Sequence, residues 1–156
     1  MVNNTKIRYV WILSLIVCAS GVSFAISASA AEPIICNVST IEATNNGTGI
    51  DKPLKDFASL FSQKPFNAYN SFKLVAQKEY RLSLNSPHTL TLPEQLSGTL
   101  MYKGKTESSL KLTLELSKMQ NPPVVIEGMA GNGIPFMAAG FKSPDGRWIF
   151  AIKCTD

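Results

Sequence analysis

The sequence predicts a mainly β domain: an antiparallel β-sandwich or partly open barrel, with one amphipathic helix docked near the mature N-terminus. Three observations predict it. Residues 109–117 alternate without a fault, with Leu110, Leu112, Leu114 and Leu116 on one side and Lys111, Thr113, Glu115 and Ser117 on the other. A period of two is a strand with one buried face and one wet face. Turn-forming residues recur roughly every eight to twelve positions, which is the rhythm of a sandwich or barrel. Leu54, Phe57, Ala58 and Phe61 repeat at i, i+3, i+4 and i+7, a helical stripe that needs a surface to lie on.

The chain has 156 residues, 45% of them apolar, and a formal net charge of +4. Residues 1–30 distort the last two figures. Lys6 and Arg8 precede an apolar run from Tyr9 to Ile26, and Ala28-Ser29-Ala30 follows. A charged start, an apolar middle and an A-x-A site make an export signal. Cleavage after Ala30 leaves residues 31–156 as a single β-rich domain with enough chain for one core. Uncleaved, the run is long enough to span a bilayer. Cys18 raises a lipoprotein signal as a third fate, but Val17 stands where such signals carry Gly, Ala or Ser. Membrane contact is expected only in these last two cases. Loss of Lys6 and Arg8 also brings the mature domain close to neutral, so its charge does not point to nucleic acid.

The mature chain keeps two cysteines, Cys36 and Cys154. In an exported protein an even count reads as a disulfide, and only one pairing exists. It ties the first mature strand to the last, a closure for which loop entropy gives about 4–5 kcal/mol.

Taken in order, residues 34–43 open with a strand, since Ile34, Ile35, Val38, Thr40 and Ile41 are β-branched. Asn45-Asn46-Gly47-Thr48-Gly49 breaks it. Asp51 is expected to cap the helix and Pro53 to sit in its first turn, where a missing N–H costs nothing. A helix of about ten residues does not persist alone in water, so it must pack. Phe66 and Tyr69 follow in an aromatic loop. Phe72, Leu74 and Ala76 form one expected strand; Tyr80, Leu82 and Leu84 form another. Leu90 and Leu92 mark a short strand between turns at Asn85-Ser86-Pro87 and Pro93-Glu94-Gln95. Residues 99–102 and 109–117 read as a hairpin, with Lys103-Gly104-Lys105-Thr106 as its loop and Gly104 free to take positive φ. After a turn at Asn121-Pro122-Pro123, Val124-Val125-Ile126 resumes the sheet, and residues 128–133 read as a flexible turn. Pro135 and Gly140 make residues 134–141 an edge or irregular strand. Ser143-Pro144-Asp145-Gly146 turns the chain, with Gly146 expected at positive φ. Trp148-Ile149-Phe150-Ala151-Ile152 is the last strand.

No catalytic constellation stands out. His88 is the only histidine and falls in an expected turn, and no serine lies in a Gly-x-Ser-x-Gly elbow. One histidine and two bonded cysteines offer no metal set, and the glycines at 128–133 lack the Gly-Lys-Ser/Thr end of a phosphate loop. No cofactor is expected. Carboxylate chemistry would need a convergent pair among Glu42, Asp51, Asp56, Glu79, Glu94, Glu107, Glu115 and Glu127, and nothing in the sequence selects one. Two stretches are candidate binding surfaces: Phe66 with Tyr69, and Met129 with Phe136 and Met137 around flexible glycines. Aromatics and methionines suit adaptable apolar contacts, although the same side chains equally fill cores. The stretch 64–118 is locally basic; its lysines solvate strand faces and blunt edges, or face an anionic partner.

The Asp-x-x-Leu helix, Pro65-Phe66 with Tyr69, the Phe72-x-Leu74 strand and the closing Trp148-Ile149-Phe150-Ala151-Ile152 resemble a family of small exported bacterial proteins. The resemblance implies a β-rich, exported domain and brings no active-site residues with it. The function expected is a non-enzymatic binding or assembly module of the cell envelope, periplasmic or secreted, whose partner is another envelope or secreted protein. The alternatives are a small carrier of an apolar ligand or lipid, and a carboxylate-based hydrolase.

Overall fold

The computed structural model describes residues 32–117, 123–131 and 133–155. The expected export signal and cleavage site, Cys18 and the expected turn residues Asn121 and Pro122 lie outside them. Among the described residues, no helix is long and apolar enough to cross a membrane.

The chain is mainly β. Its strands are β1 (Ile34–Thr44), β2 (Gly49–Ile50), β3 (Ser71–Leu82), β4 (Pro87–Thr91), β5 (Ser97–Lys105), β6 (Leu110–Ser117), β7 (Val124–Ala130), β8 (Phe136–Lys142) and β9 (Arg147–Thr155). Sheet A has the order β2-β3-β1-β9-β8, and sheet B the order β4-β5-β6-β7. Every pairing is antiparallel except the short β2–β3 contact. Strands β3 to β9 follow one another in chain order around a flattened ring, and β1 fills the place between β9 and β3. Isolated bridges, Leu84–Tyr102 and Gly131–Ile134, lie where the chain passes from one sheet to the other. The result is a sandwich that is also a partly open barrel. Because β1 and β9 are neighbours, Cys36 stands directly opposite Cys154, and the two form the expected disulfide across a sequence separation of 118.

Two cores lie on the two faces of sheet A. Between the sheets, Leu90, Leu100, Leu112, Leu114 and Leu116 from sheet B meet Ile34, Val38, Leu82, Trp148, Phe150 and Ile152 from sheet A. On the outer face, Ile41, Ala43, Phe72, Ile149 and Ala151 are covered by Leu54 and Phe61. Strand β9 is buried on both faces, which is why it reads as an unbroken apolar run.

Strand β3 shows how one parity of side chains serves both cores. Residues 72–84 were expected as two strands, yet 71–82 form one. Its register on β1 jumps from Thr40–Ala76 to Ile41–Leu74, leaving Val75 without a partner. That extra residue turns the strand over. Tyr80 and Leu82 therefore point between the sheets, whereas Phe72 and Leu74 point outward.

Four local expectations need correction. The helix is realised as a 3-10 turn (Lys52–Phe57) followed by a single α turn, α1 (Ala58–Phe61). Its apolar stripe still docks on sheet A, but Asp51 does not cap it: the Asp51 carboxylate accepts the Leu74 N–H at 2.9 Å. The β5–β6 loop lies at 106–109, where Thr106 N–H donates to the Ser109 carbonyl at 2.7 Å; Gly104 takes its positive φ of 129° at a bulge inside β5. Gly128 belongs to strand β7, where a Cβ would collide with the Phe136 ring, and the turn falls at Gly131–Ile134. Gly146 is not at positive φ; it is needed because a Cβ there would collide with the Ala43 carbonyl.

Candidate functional site

The outer face of sheet A carries the most built surface. A roof made of the 3-10 turn, α1 and a second 3-10 turn (Phe66–Ala68) crosses it. Phe61 is the hub. Its ring stacks on Phe72 at 4.0 Å with 9° between planes, and Phe57 and Phe66 meet it edge-on at 6.2 and 6.4 Å. These contacts fasten a segment too short to be helical alone.

A cleft opens on each side of the roof. The larger, about 440 Å³, is lined by Thr48, Ile50, Phe61, Asn67, Tyr69 and Phe72 among others. The smaller, about 180 Å³, lies between the first 3-10 turn and the strands, lined by Asn37, Ser39, Pro53, Asp56, Phe57, Gln77 and Lys153. Strand register assembles this second cleft: Asn37 on β1 faces Lys153 on β9, and Ser39 on β1 faces Gln77 on β3. Asn37 Oδ1 is buried there without a hydrogen-bond donor, a condition that costs roughly 1–3 kcal/mol.

Beside the roof runs the open edge of β3. On that side only Ser71 and Phe72 pair with a strand, the two-residue β2. The Asp51 carboxylate takes the next N–H, that of Leu74. From 75 to 82 no strand of the described residues lies alongside. Lys73, Val75, Lys78, Glu79 and Arg81 are exposed on it, so the edge is predominantly basic. Lys78 Nζ lies 5.4 Å from the Tyr80 ring centroid, the range of a cation–π contact.

The residues singled out from the sequence are not one surface. Phe66, Tyr69 and Met137 pack on the outer core of sheet A. Phe136 points the other way and is buried between the sheets, because successive residues of β8 face opposite sides. Met129 is exposed on sheet B, beside a groove of about 380 Å³ that also holds Lys103, Lys111 and Glu127. His88 lies on β4 rather than in a turn, with its ring 5.0 Å from that of Tyr80. Glu115 and Glu127 are diagonal neighbours on the exposed face of sheet B, Glu115 opposite Val125 and Glu127 opposite Thr113. Among the described residues, no group of three or more His, Cys, Asp or Glu side chains is placed to hold a metal ion.

Sequence reading missed both the β3 edge and the polar cleft. The edge was hidden by the polar run Gln77-Lys78-Glu79, which made one long strand look like two. The cleft joins positions 37, 56, 77 and 153, and no local pattern connects them. No protein-family model matches the chain, and neither a curated protein nor a solved structure matches it significantly.

Proposed function

We propose that this chain is an exported binding module that takes an extended, acidic segment of another envelope or secreted protein along the edge of β3. The observation that carries this reading is the edge itself: among the described residues, a twelve-residue strand with a strand partner on its outer side only at Ser71 and Phe72. An added strand gains main-chain hydrogen bonds along such an edge, and side chains supply the selectivity. Lys73, Lys78 and Arg81 against the single Glu79 favour acidic side chains in the partner. The disulfide is compatible with an oxidising, exported setting.

A photo-crosslinking amino acid at Val75 or Gln77, expressed in the native host, tests it. A discrete adduct is expected from both positions and none from Val125 on sheet B. Charge reversal by Lys73→Glu with Arg81→Glu should abolish the adduct. Equal labelling from Val125, or an adduct indifferent to charge reversal, overturns the reading.

The carrier reading has one observation in its favour, the 440 Å³ groove lined by Ile50, Phe61, Tyr69 and Phe72. The space between the sheets is occupied by fully buried side chains such as Leu100, Leu114 and Phe150, so the groove is where an apolar ligand would sit. Mass spectrometry of solvent extracts from the natively purified protein tests it; an empty protein rejects it.

A further inference from the structure

The open edge of β3 has a definite hydrogen-bonding register, and that register selects the strand that fits it. The Leu74 N–H points away from β1 and donates to the Asp51 carboxylate at 2.9 Å; on the same side the Phe72 carbonyl accepts the Asp51 N–H at 3.0 Å. Ile41, the partner of Leu74 on β1, therefore sends its own main-chain groups to β9. The direction alternates along β1, so Thr40, Val38 and Cys36 send theirs to β3, where they meet Ala76, Lys78 and Tyr80. The narrow Cα–Cα separation of Cys36 and Cys154, 4.0 Å, agrees, because it marks a pair that exchanges no main-chain hydrogen bonds. Gln77, Glu79 and Arg81 are left with their N–H and carbonyl groups facing outward, where no strand of the described residues lies. Resting on the edge reading above, we propose that the partner is an antiparallel strand bonded to these three residues and carrying acidic side chains three positions apart, one opposite Lys78 and one opposite Arg81.

The pleat sets the spacing. Cys36 and Val38 point between the sheets, so their partners Tyr80 and Lys78 lie on that face. Ile35 and Asn37 alternate with them and share the outer face with Arg81 and Glu79. A strand added at this edge therefore meets one cation on each face. Lys78 stands on the inner face, with its Nζ 5.4 Å from the Tyr80 ring centroid, and Arg81 stands on the outer face. Opposite charges directly across a strand pair stabilise it and like charges destabilise it. The partner's residues opposite Lys78 and Arg81 are thus acidic, and the residue opposite Glu79 is not. Antiparallel pairing sets side chains directly opposite one another and is the more stable kind per residue. The ends of the edge fix the length of the strand it takes. Asp51 occupies the edge at Leu74, and beyond Leu82 the chain leaves for sheet B, where Leu84 bridges to Tyr102. Residues 75–82 are the docking stretch.

The test uses the ¹⁵N-labelled mature protein and a blocked peptide, Thr-Glu-Val-Lys-Glu-Thr-Val-Thr. Paired antiparallel, this peptide sets its acids opposite Arg81 and Lys78 and its lysine opposite Glu79. A control peptide exchanges the fourth and fifth residues, which keeps composition and charge but sets Glu opposite Glu79 and Lys opposite Lys78. In the free protein the amides of Gln77, Glu79 and Arg81 should exchange fast and those of Ala76, Lys78 and Tyr80 slowly. The first peptide is expected to slow the fast set saturably, and the control to bind at least about tenfold more weakly. Arg81→Glu should weaken the first peptide by about tenfold or more, and a lysine at the second position of the peptide should restore binding. Equal binding of the two peptides overturns the spacing. The opposite alternation of fast and slow amides overturns the register. Protection of Gln77, Glu79 and Arg81 that grows with protein concentration, without peptide, overturns the proposal in favour of a second copy of this chain on the edge. Binding of neither peptide by about 5 mM overturns it as well; the edge reading then stands if the Val75 adduct still forms, and falls with it if the adduct is absent.

Discussion

The two sheets bury their inner faces alike and differ on their outer faces. Sheet B leaves its outer face in water: Thr113 and Glu115 on β6 and Val125, Glu127 and Met129 on β7 stand there. Sheet A hides much of its outer face beneath the roof, and its interior strand β9 has buried residues on both sides. The inner faces hold the fold together, while the roofed outer face is where clefts and an open edge accumulate. A roof of two 3-10 turns and one α turn does not cover a twisted sheet completely, and recesses form at its margins. The two clefts beside the roof and the open β3 edge therefore belong to sheet A, while the bare face of sheet B carries a shallow groove beside Met129.

The largest expected effect comes from the bond that joins the two termini within sheet A. Cys36 packs inside the inter-sheet core, and its bond to Cys154 closes a loop spanning 118 positions. Replacing both cysteines by serine should destabilise the domain by about 4–5 kcal/mol, read as a lower urea midpoint. A loss below about 1 kcal/mol would mean that the β1–β9 pairing holds without the staple.

The next test weighs the two cores against each other. Leu114 is fully buried between the sheets, and its replacement by Ala should cost about 3–4 kcal/mol in a single cooperative transition. Phe61→Ala removes the hub of the roof, where the cluster is smaller and a groove adjoins it. Its expected cost is about 2–3 kcal/mol, at or below the usual range for a buried aromatic. The sharper difference is spatial. Phe61→Ala should speed amide exchange across residues 52–69 and leave β5 and β6 protected, while Leu114→Ala should lower protection in both sheets. Equal effects everywhere would show that the roof and the sandwich unfold as one unit.

The same contrast governs how much could be read from the sequence. Strand β6 was legible because one face is buried and the other bare, so its alternation is unbroken. Strand β9 was legible as a run because both faces are buried. Strand β3 obeyed the alternation rule and still misled, since the bulge at Val75 exchanges the faces midway without disturbing the pattern of apolar residues. The roof kept its helical spacing while adopting mostly 3-10 geometry, because Leu54, Phe57 and Phe61 meet the sheet in either form. Asn37, Ser39, Gln77 and Lys153 are polar strand positions that no local sequence pattern singles out. Only the register of three strands and the placing of Asp56 above them make a cleft. Met129, Phe136 and Met137 looked like one patch because they are close in sequence, yet strand pleat and the sheet-to-sheet turn send them to three different surroundings.

The smallest expected effect closes the comparison on the bare side. Val125 is 59% exposed on β7, directly opposite Glu115 on β6. Val125→Thr keeps β-branching and strand preference while exchanging a methyl for a hydroxyl that water satisfies. Stability should change by no more than about 0.5 kcal/mol. A substantially larger loss would mean that this methyl is covered in the native assembly. The outer face of sheet B would then be covered as well, and the contrast between a roofed sheet and a bare one would fall.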